Sequence, residues 1–179
     1  ELFEAARTLL SRHPHLRIVV VGPDDLDKGD PLTQGDVESA AAAGVRFLGM
    51  RTDVERLYHA MDLYVLASHR EGFPRSAMEA AASGLPVVAT DIRGCRQVVD
   101  HDVTGLLVPA RDPSRLAHAI EALATDAGRR AAMAASAVDR ARTRFDQQRV
   151  IDITLDAYRS AGSAGPARPP RSHGPPPHG

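Results

Sequence analysis

Five short apolar runs, each reached through a helix-forming segment, limit what this chain can become. They are Arg17-Ile18-Val19-Val20-Val21-Gly22, Val45-Arg46-Phe47-Leu48-Gly49, Asp62-Leu63-Tyr64-Val65-Leu66, Val87-Val88-Ala89 and Gly105-Leu106-Leu107-Val108. Short apolar runs of this kind belong to strands buried on both faces. The segments between them read as helices. Leu2, Ala5, Ala6, Leu9 and Leu10 recur at helical spacing over 1–13, and Pro14 stops them. Asp36 is expected to cap a helix over 37–43 that Gly44 ends, and Asp53 a short one after it. Asp112-Pro113 starts a helix with Leu116, Ala119, Ile120 and Leu123 on one face, and an alanine-rich helix follows over 127–144. Asp146 is placed to cap a further helix carrying Ile151, Leu155 and Tyr158. Strands alternating with helices imply an α/β fold, a parallel sheet with helices on both faces. Ligands of such sheets lie beyond the carboxyl ends of the strands.

Composition narrows the partners. The chain has 179 residues, 43% of them hydrophobic, enough for one domain with a core. A net charge of -1 gives no reason to propose nucleic acid. The single cysteine, Cys95, excludes an internal disulfide and fits a reducing compartment, so the expected location is the cytoplasm. No apolar run approaches the roughly 20 residues of a membrane span. The segment 23–36 reads as a polar loop, and Gly22-Pro23-Asp24 lacks the spacing of a dinucleotide fingerprint. The expected domain covers 1–160, and 161–179, rich in Gly, Pro, Ser, Arg and His, is expected to be a disordered tail. The chain opens inside a helix without an initiator methionine, and so reads as a piece of something longer.

The chemistry gathers in 68–90, a loop, a short helix and a strand. Pro74 suits the first helical position, the alanines after Glu79 favour helix, and Gly84 and Pro86 end it. The mouth of this helix, over 73–76, offers orphan amides and the positive end of the macrodipole, a place for phosphate. Gly72 allows close approach of a ligand to the backbone. Glu71 precedes the mouth, while Glu79 lies about 7.5 Å down the axis from Pro74, at ~1.5 Å per residue, its side chain leaning back toward the mouth. A diphosphate held there would have a carboxylate on each side, and carboxylates accept strongly from hydroxyls. A nucleotide sugar has hydroxyls on both sides of a diphosphate.

Glu71 and Glu79, with seven residues between them, followed by small residues and Gly84-Leu85-Pro86-Val87-Val88-Ala89, resemble the donor-binding motif of the retaining family-4 glycosyltransferases, enzymes of the two-domain GT-B fold. The likeness runs over about 1–158. The resemblance implies the nucleotide-binding, Rossmann-like C-terminal half of such an enzyme. It implies that Glu79 binds the ribose, that Glu71 binds the donor sugar as the catalytic residue, and that Gly72, Phe73 and Pro74 meet the phosphates. Met50 and Arg51, after Gly49, would neighbour the base, and Gly94 would face phosphates and sugar. Gln97 stands where the family usually has glutamate. An Arg…Lys pair that neutralises the diphosphate and an N-terminal Rossmann-like domain with the acceptor site belong to the family, and neither lies within these residues. The implied activity is transfer of a hexosyl or N-acetylhexosaminyl group from a UDP-sugar to an acceptor hydroxyl, on a glycan or lipid-linked acceptor, with no cofactor and no metal. Two alternatives stand beside it, a nucleotide-sugar-binding module without activity and a sugar-nucleotide epimerase of the same fold.

Other residues carry blander readings. Lys28 is a loop charge, His69 a loop residue in preference to a donor contact, and Cys95 a packed thiol. Arg75 and Arg96 either meet phosphate or are solvated. Arg129, Arg130, Arg140, Arg142 and Arg144 form a solvated face, with a weak contact to the inner face of the membrane as the minority alternative.

Overall fold

In the computed structural model, residues 1–22 and 33–145 are described, and 1–144 form one compact unit. Lys28, the further helix from Asp146 and the tail 161–179 lie outside the described residues. Five strands, β1 (Val19–Val20), β2 (Arg46–Phe47), β3 (Tyr64–Leu66), β4 (Val87–Thr90) and β5 (Gly105–Val108), alternate with seven helices among the described residues. The helices are α1 (Leu2–Arg12), α2 (Gln34–Ala42), α3 (Val54–Tyr58), α4 (Arg75–Ala82), α5 (Arg93–Val98), α6 (Pro113–Thr125) and α7 (Ala127–Arg144). Every strand pair is parallel. The expected single sheet is divided: β1 pairs with β2, and β3, β4 and β5 form a second sheet in that order. The first ladder is extended by Gly22 N–H donating to the Gly49 carbonyl at 3.0 Å.

Burial explains the layers. All four residues of β4, the central strand, are buried. On one face Val88, Leu106 and Val108 pack with Leu9 of α1 and with Leu116, Ile120 and Leu123 of α6. On another, Tyr58, Ala80 and Leu85 pack with Val54, Met61 and Tyr64, which seats α3 and α4. Ala6, Ala40 and Val45 close a smaller cluster with Ile18, Val20 and Phe47. Ile18 packs in both the first and the third cluster and so joins them.

The helix ends show which sequence signals were decisive. Gly84 (φ 83°) donates to the Ala81 carbonyl and Leu85 to that of Ala80, at 3.1 and 3.0 Å. This is a Schellman ending, and its glycine takes the left-handed backbone that a Cβ would strain. Gly44 (φ 103°) and Val45 end α2 in the same way, through Ala41 and Ala40. Asp112 caps α6 as expected, accepting from Arg115 N–H at 2.9 Å. Two expected caps differ. α2 begins at Thr33, whose hydroxyl accepts from Asp36 N–H, while the Asp36 carboxylate reaches back to Thr33 N–H. Asp36 is therefore the third residue of a capping box rather than the cap. Asp53 occupies the cap position of α3 but makes no capping bond, because Arg51 grips both its oxygens at 2.8 Å.

The arginines of α7 are not a uniformly solvated face. Arg130 donates to the Leu123 and Ala124 carbonyls at the end of α6. Arg129 pairs with Asp102. Arg140 donates to the Val98 and Gln97 carbonyls at the end of α5, both at 3.1 Å, and pairs with Asp100. A cation on terminal carbonyls satisfies orphan acceptors and complements the helix dipole. Arg140→Met is expected to lower unfolding free energy by about 2 kcal/mol, the scale of one lost hydrogen bond to a charged group. Urea denaturation checks this, and a midpoint equal to wild type would contradict the clamp.

Candidate nucleotide-sugar site

α4 is built to present its amino end. Ala77, Ala80 and Ala81 are buried against the sheet, which fixes the helix axis while its first turn stays at the rim. Pro74 is not the first helical residue, as its φ had suggested, but the N-cap, with ψ 94°. The extended backbone suits a cap position, and Pro74 contributes no N–H of its own. The amides of Arg75, Ser76 and Ala77 follow as the first turn, with no carbonyl inside the helix to receive them. Gly72 is exposed, and a Cβ built on it would meet nothing within 4 Å, so the space in front of the mouth is open. Phe73 is 44% exposed beside it.

The two carboxylates stand on α4 and on the loop that leads into it. Glu79, on the exposed side of α4, accepts from the Tyr58 hydroxyl at 3.3 Å. The Tyr64 hydroxyl donates to Ser76 Oγ at 2.8 Å. Burial pushes the Tyr64 pKa up, and the charges of Glu71 and Glu79 both push it further, against the opposing effect of its bond to Ser76. One hydroxyl thus feels the charge of both acids. Burial, then the charges of Tyr64 and Glu79, hold Tyr58 far above the ordinary tyrosine range, so it stays a neutral donor.

Glu71 is half-buried and held from behind. Ser68 Oγ donates to its Oε1 at 2.9 Å. The buried Thr90 hydroxyl, at the end of β4, donates to the Ser68 carbonyl. Gly94 lies within the first turn of α5 rather than in a turn ahead of it. It is buried against the Glu71 peptide: an added Cβ would overlap the Glu71 carbonyl and lie 2.9 Å from its Cβ. Gly94 thus sets how closely α5 approaches the Glu71 loop.

The remaining expected residues are more peripheral. Met50 is 71% exposed, in the loop leaving β2. The Arg51 guanidinium beside it is committed to Asp53 and holds that carboxyl below its usual range. Arg96 is likewise bidentate to Asp91, while Arg75 is exposed at the first position of α4. His69 contacts Glu1 at 3.0 Å. Cys95 is buried, with burial raising its pKa, as a packed thiol would be. Gln97 is exposed on α5. Among the described residues no three His, Cys, Asp or Glu side chains gather as metal ligands, and no helix is long and apolar enough to cross a membrane.

Sequence reasoning found the acids and missed the hydroxyls that hold them: Tyr58, Tyr64, Ser68, Ser76 and Thr90. Ser68 and Ser76 each lie three residues before an acid, a spacing with no distinctive signal of its own, while Tyr58, Tyr64 and Thr90 come in through tertiary contacts from α3, β3 and β4.

Comparison with known proteins gives the family. The profile described as Glycosyl transferases group 1 matches residues 1–126. A D-inositol 3-phosphate glycosyltransferase of Salinispora tropica is 38% identical over 171 residues, covering 89% of this chain and 35% of the relative. The C-terminal domain of a glycosyl transferase group 1 family protein, LpcC, from Francisella tularensis superimposes with a TM-score of 0.69 at 30% identity, covering 81% of this chain and 77% of that domain. HepE of Anabaena, solved in complex with UDP, superimposes with a TM-score of 0.75 at 30% identity over 90% of this chain and 44% of HepE, and was also solved with UDP-glucose. The chain spans about a third of the length of the curated relative from Salinispora.

Gly94→Ala is expected to force the Glu71 loop outward at a cost of about 1–3 kcal/mol, the usual range for overpacking. Denaturant unfolding and backbone amide shifts over 68–72 report it. Unchanged stability with unchanged shifts would show that the contact is not limiting.

Proposed function

This chain belongs to the group 1 glycosyl transferases as a C-terminal domain of the GT-B fold, and we propose that it is the donor-binding half of a retaining enzyme that uses a UDP-sugar. The reading is supported by Glu79 standing on α4, where it accepts from Tyr58, and by Glu71 in the loop that leads into the same helix, where it accepts from Ser68. In this reading the diphosphate sits on the first-turn amides of α4, Glu79 accepts from the ribose hydroxyls, and Glu71 accepts from the sugar. The UDP and UDP-glucose complexes of HepE support a uridine donor.

During transfer the bond from the anomeric carbon to the diphosphate breaks and a bond to an acceptor hydroxyl oxygen forms, the hydroxyl proton passing to the departing diphosphate. Charge grows on the departing diphosphate. The α4 dipole and amides face that charge in a fixed orientation, which is the form of stabilisation that costs no reorganisation. The proposal includes no metal ion. Charge neutralisation beyond α4 falls to cationic side chains, with the exposed Arg75 the nearest by sequence. The acceptor, a glycan or lipid-linked alcohol, would be held by a second Rossmann-like domain. Taken alone, the chain is then a nucleotide-sugar half-site that binds without turning over, which fits its coverage of 35% of the Salinispora relative.

Glu79→Gln tests the reading. It is expected to weaken UDP binding by about 1.5–3 kcal/mol through loss of charged hydrogen bonds to the ribose. Calorimetry with this chain measures it, and an unchanged affinity would remove Glu79 from the site. A transfer assay run alongside is expected to show no turnover, and sugar transfer by the chain alone would overturn the half-site reading. Epimerised product formed without an acceptor would favour the epimerase instead.

A further inference from the structure

The two carboxylates are not held alike. Glu79 stands on a helix, and its position follows from the backbone. Glu71 stands on a loop of glycine and polar residues, where a side chain otherwise samples several rotamers. The loop is nevertheless tied at three points. Thr90, 1% exposed at the carboxyl end of the central strand, donates to the Ser68 carbonyl. Ser68 Oγ donates to Glu71 Oε1 at 2.9 Å. Gly94 receives the Glu71 peptide where no side chain could fit. A hydroxyl donates only one hydrogen, so the Ser68 proton is committed to Glu71, and Oε1 is the oxygen it engages. Oε2 keeps both of its acceptor sites, while Oε1 keeps one.

We propose that Ser68 is a positioning residue for sugar recognition: it fixes Glu71 so that Oε2 is aimed at a hydroxyl of the donor sugar, while the rigid end of β4 holds Ser68 through Thr90. The inference rests on Glu71 being the sugar-binding carboxylate. It adds that selectivity for a sugar-bearing nucleotide over the bare nucleotide depends on a residue that need not touch the ligand. A residue important only for folding would weaken both ligands together. A positioning residue for Glu71 weakens the sugar-bearing one alone.

The experiment compares UDP-glucose with UDP by calorimetry on this chain as wild type, Ser68→Ala, Ser68→Thr and Glu71→Gln. Wild type is expected to bind UDP-glucose more tightly than UDP. Ser68→Ala is expected to lose about tenfold of that preference, the scale of one charged hydrogen bond's geometry, with UDP affinity within twofold of wild type. Ser68→Thr, which keeps the hydroxyl, is expected to retain the preference, and Thr90→Val to lose part of it. If Glu71→Gln removes the preference while Ser68→Ala retains it, the positioning role is overturned and the reading of Glu71 stands. If wild type shows no preference, or Glu71→Gln leaves it unchanged, the sugar assignment of Glu71 fails and this inference with it. A Ser68→Ala chain that weakens both ligands equally would show a structural role only, and would also overturn the inference.

Discussion

The close approach of α5 to the Glu71 loop, possible because residue 94 has no side chain, is the contact on which the site is assembled. Gly94 is buried with the Glu71 peptide directly against it. That contact brings a loop leaving β3 onto a helix leaving β4, and these are the two elements that flank α4. The Thr90 hydroxyl and the Ser68 carbonyl tie the same elements one layer below. A loop that carries an acid needs such ties, since its side chain otherwise samples several rotamers.

The parallel sheet supplies the rest by simple geometry. β4 is paired on both sides and buried at every residue. α4 precedes it through a Schellman ending, and Thr90 follows it, so the helix mouth and the anchor of the Glu71 loop are referred to one rigid strand. Tyr58 and Tyr64 work from the other direction. Their rings pack edge to face with centroids 6.1 Å apart, and their hydroxyls reach Glu79 and Ser76. Buried aromatic rings with polar tips place hydroxyls accurately at low entropic cost.

Much of this was legible in the sequence because the signals were local. Gly44-Val45 and Gly84-Leu85 mark helix ends whose chemistry needs only neighbouring residues. The span of α7 and the Asp112-Pro113 start of α6 follow from periodicity and capping in the same way. Glu71 and Glu79 were visible through their spacing and the strand after them. What escaped was set partly by competition between neighbouring side chains and partly by contacts between distant segments. Thr33 displaced Asp36 as cap because a capping box uses both residues, and Arg51 displaced the capping role of Asp53 by offering a better partner. Pro74 moved one position because an extended ψ is available to proline at a cap. The arginines of α7 resembled a solvated stripe, yet Arg130 ends the preceding helix α6 and Arg140 ends α5, far from it in sequence.

The central claim is that one helix mouth, bracketed by two acids, receives an activated sugar. A crystal structure of this chain soaked with UDP-glucose tests it most directly. The account expects the diphosphate on the amides of Arg75, Ser76 and Ala77, ribose hydroxyls on Glu79, and a glucose hydroxyl on Glu71 Oε2. Density for the nucleotide elsewhere on the chain, or at the mouth with its ribose and sugar reaching neither acid, would contradict it.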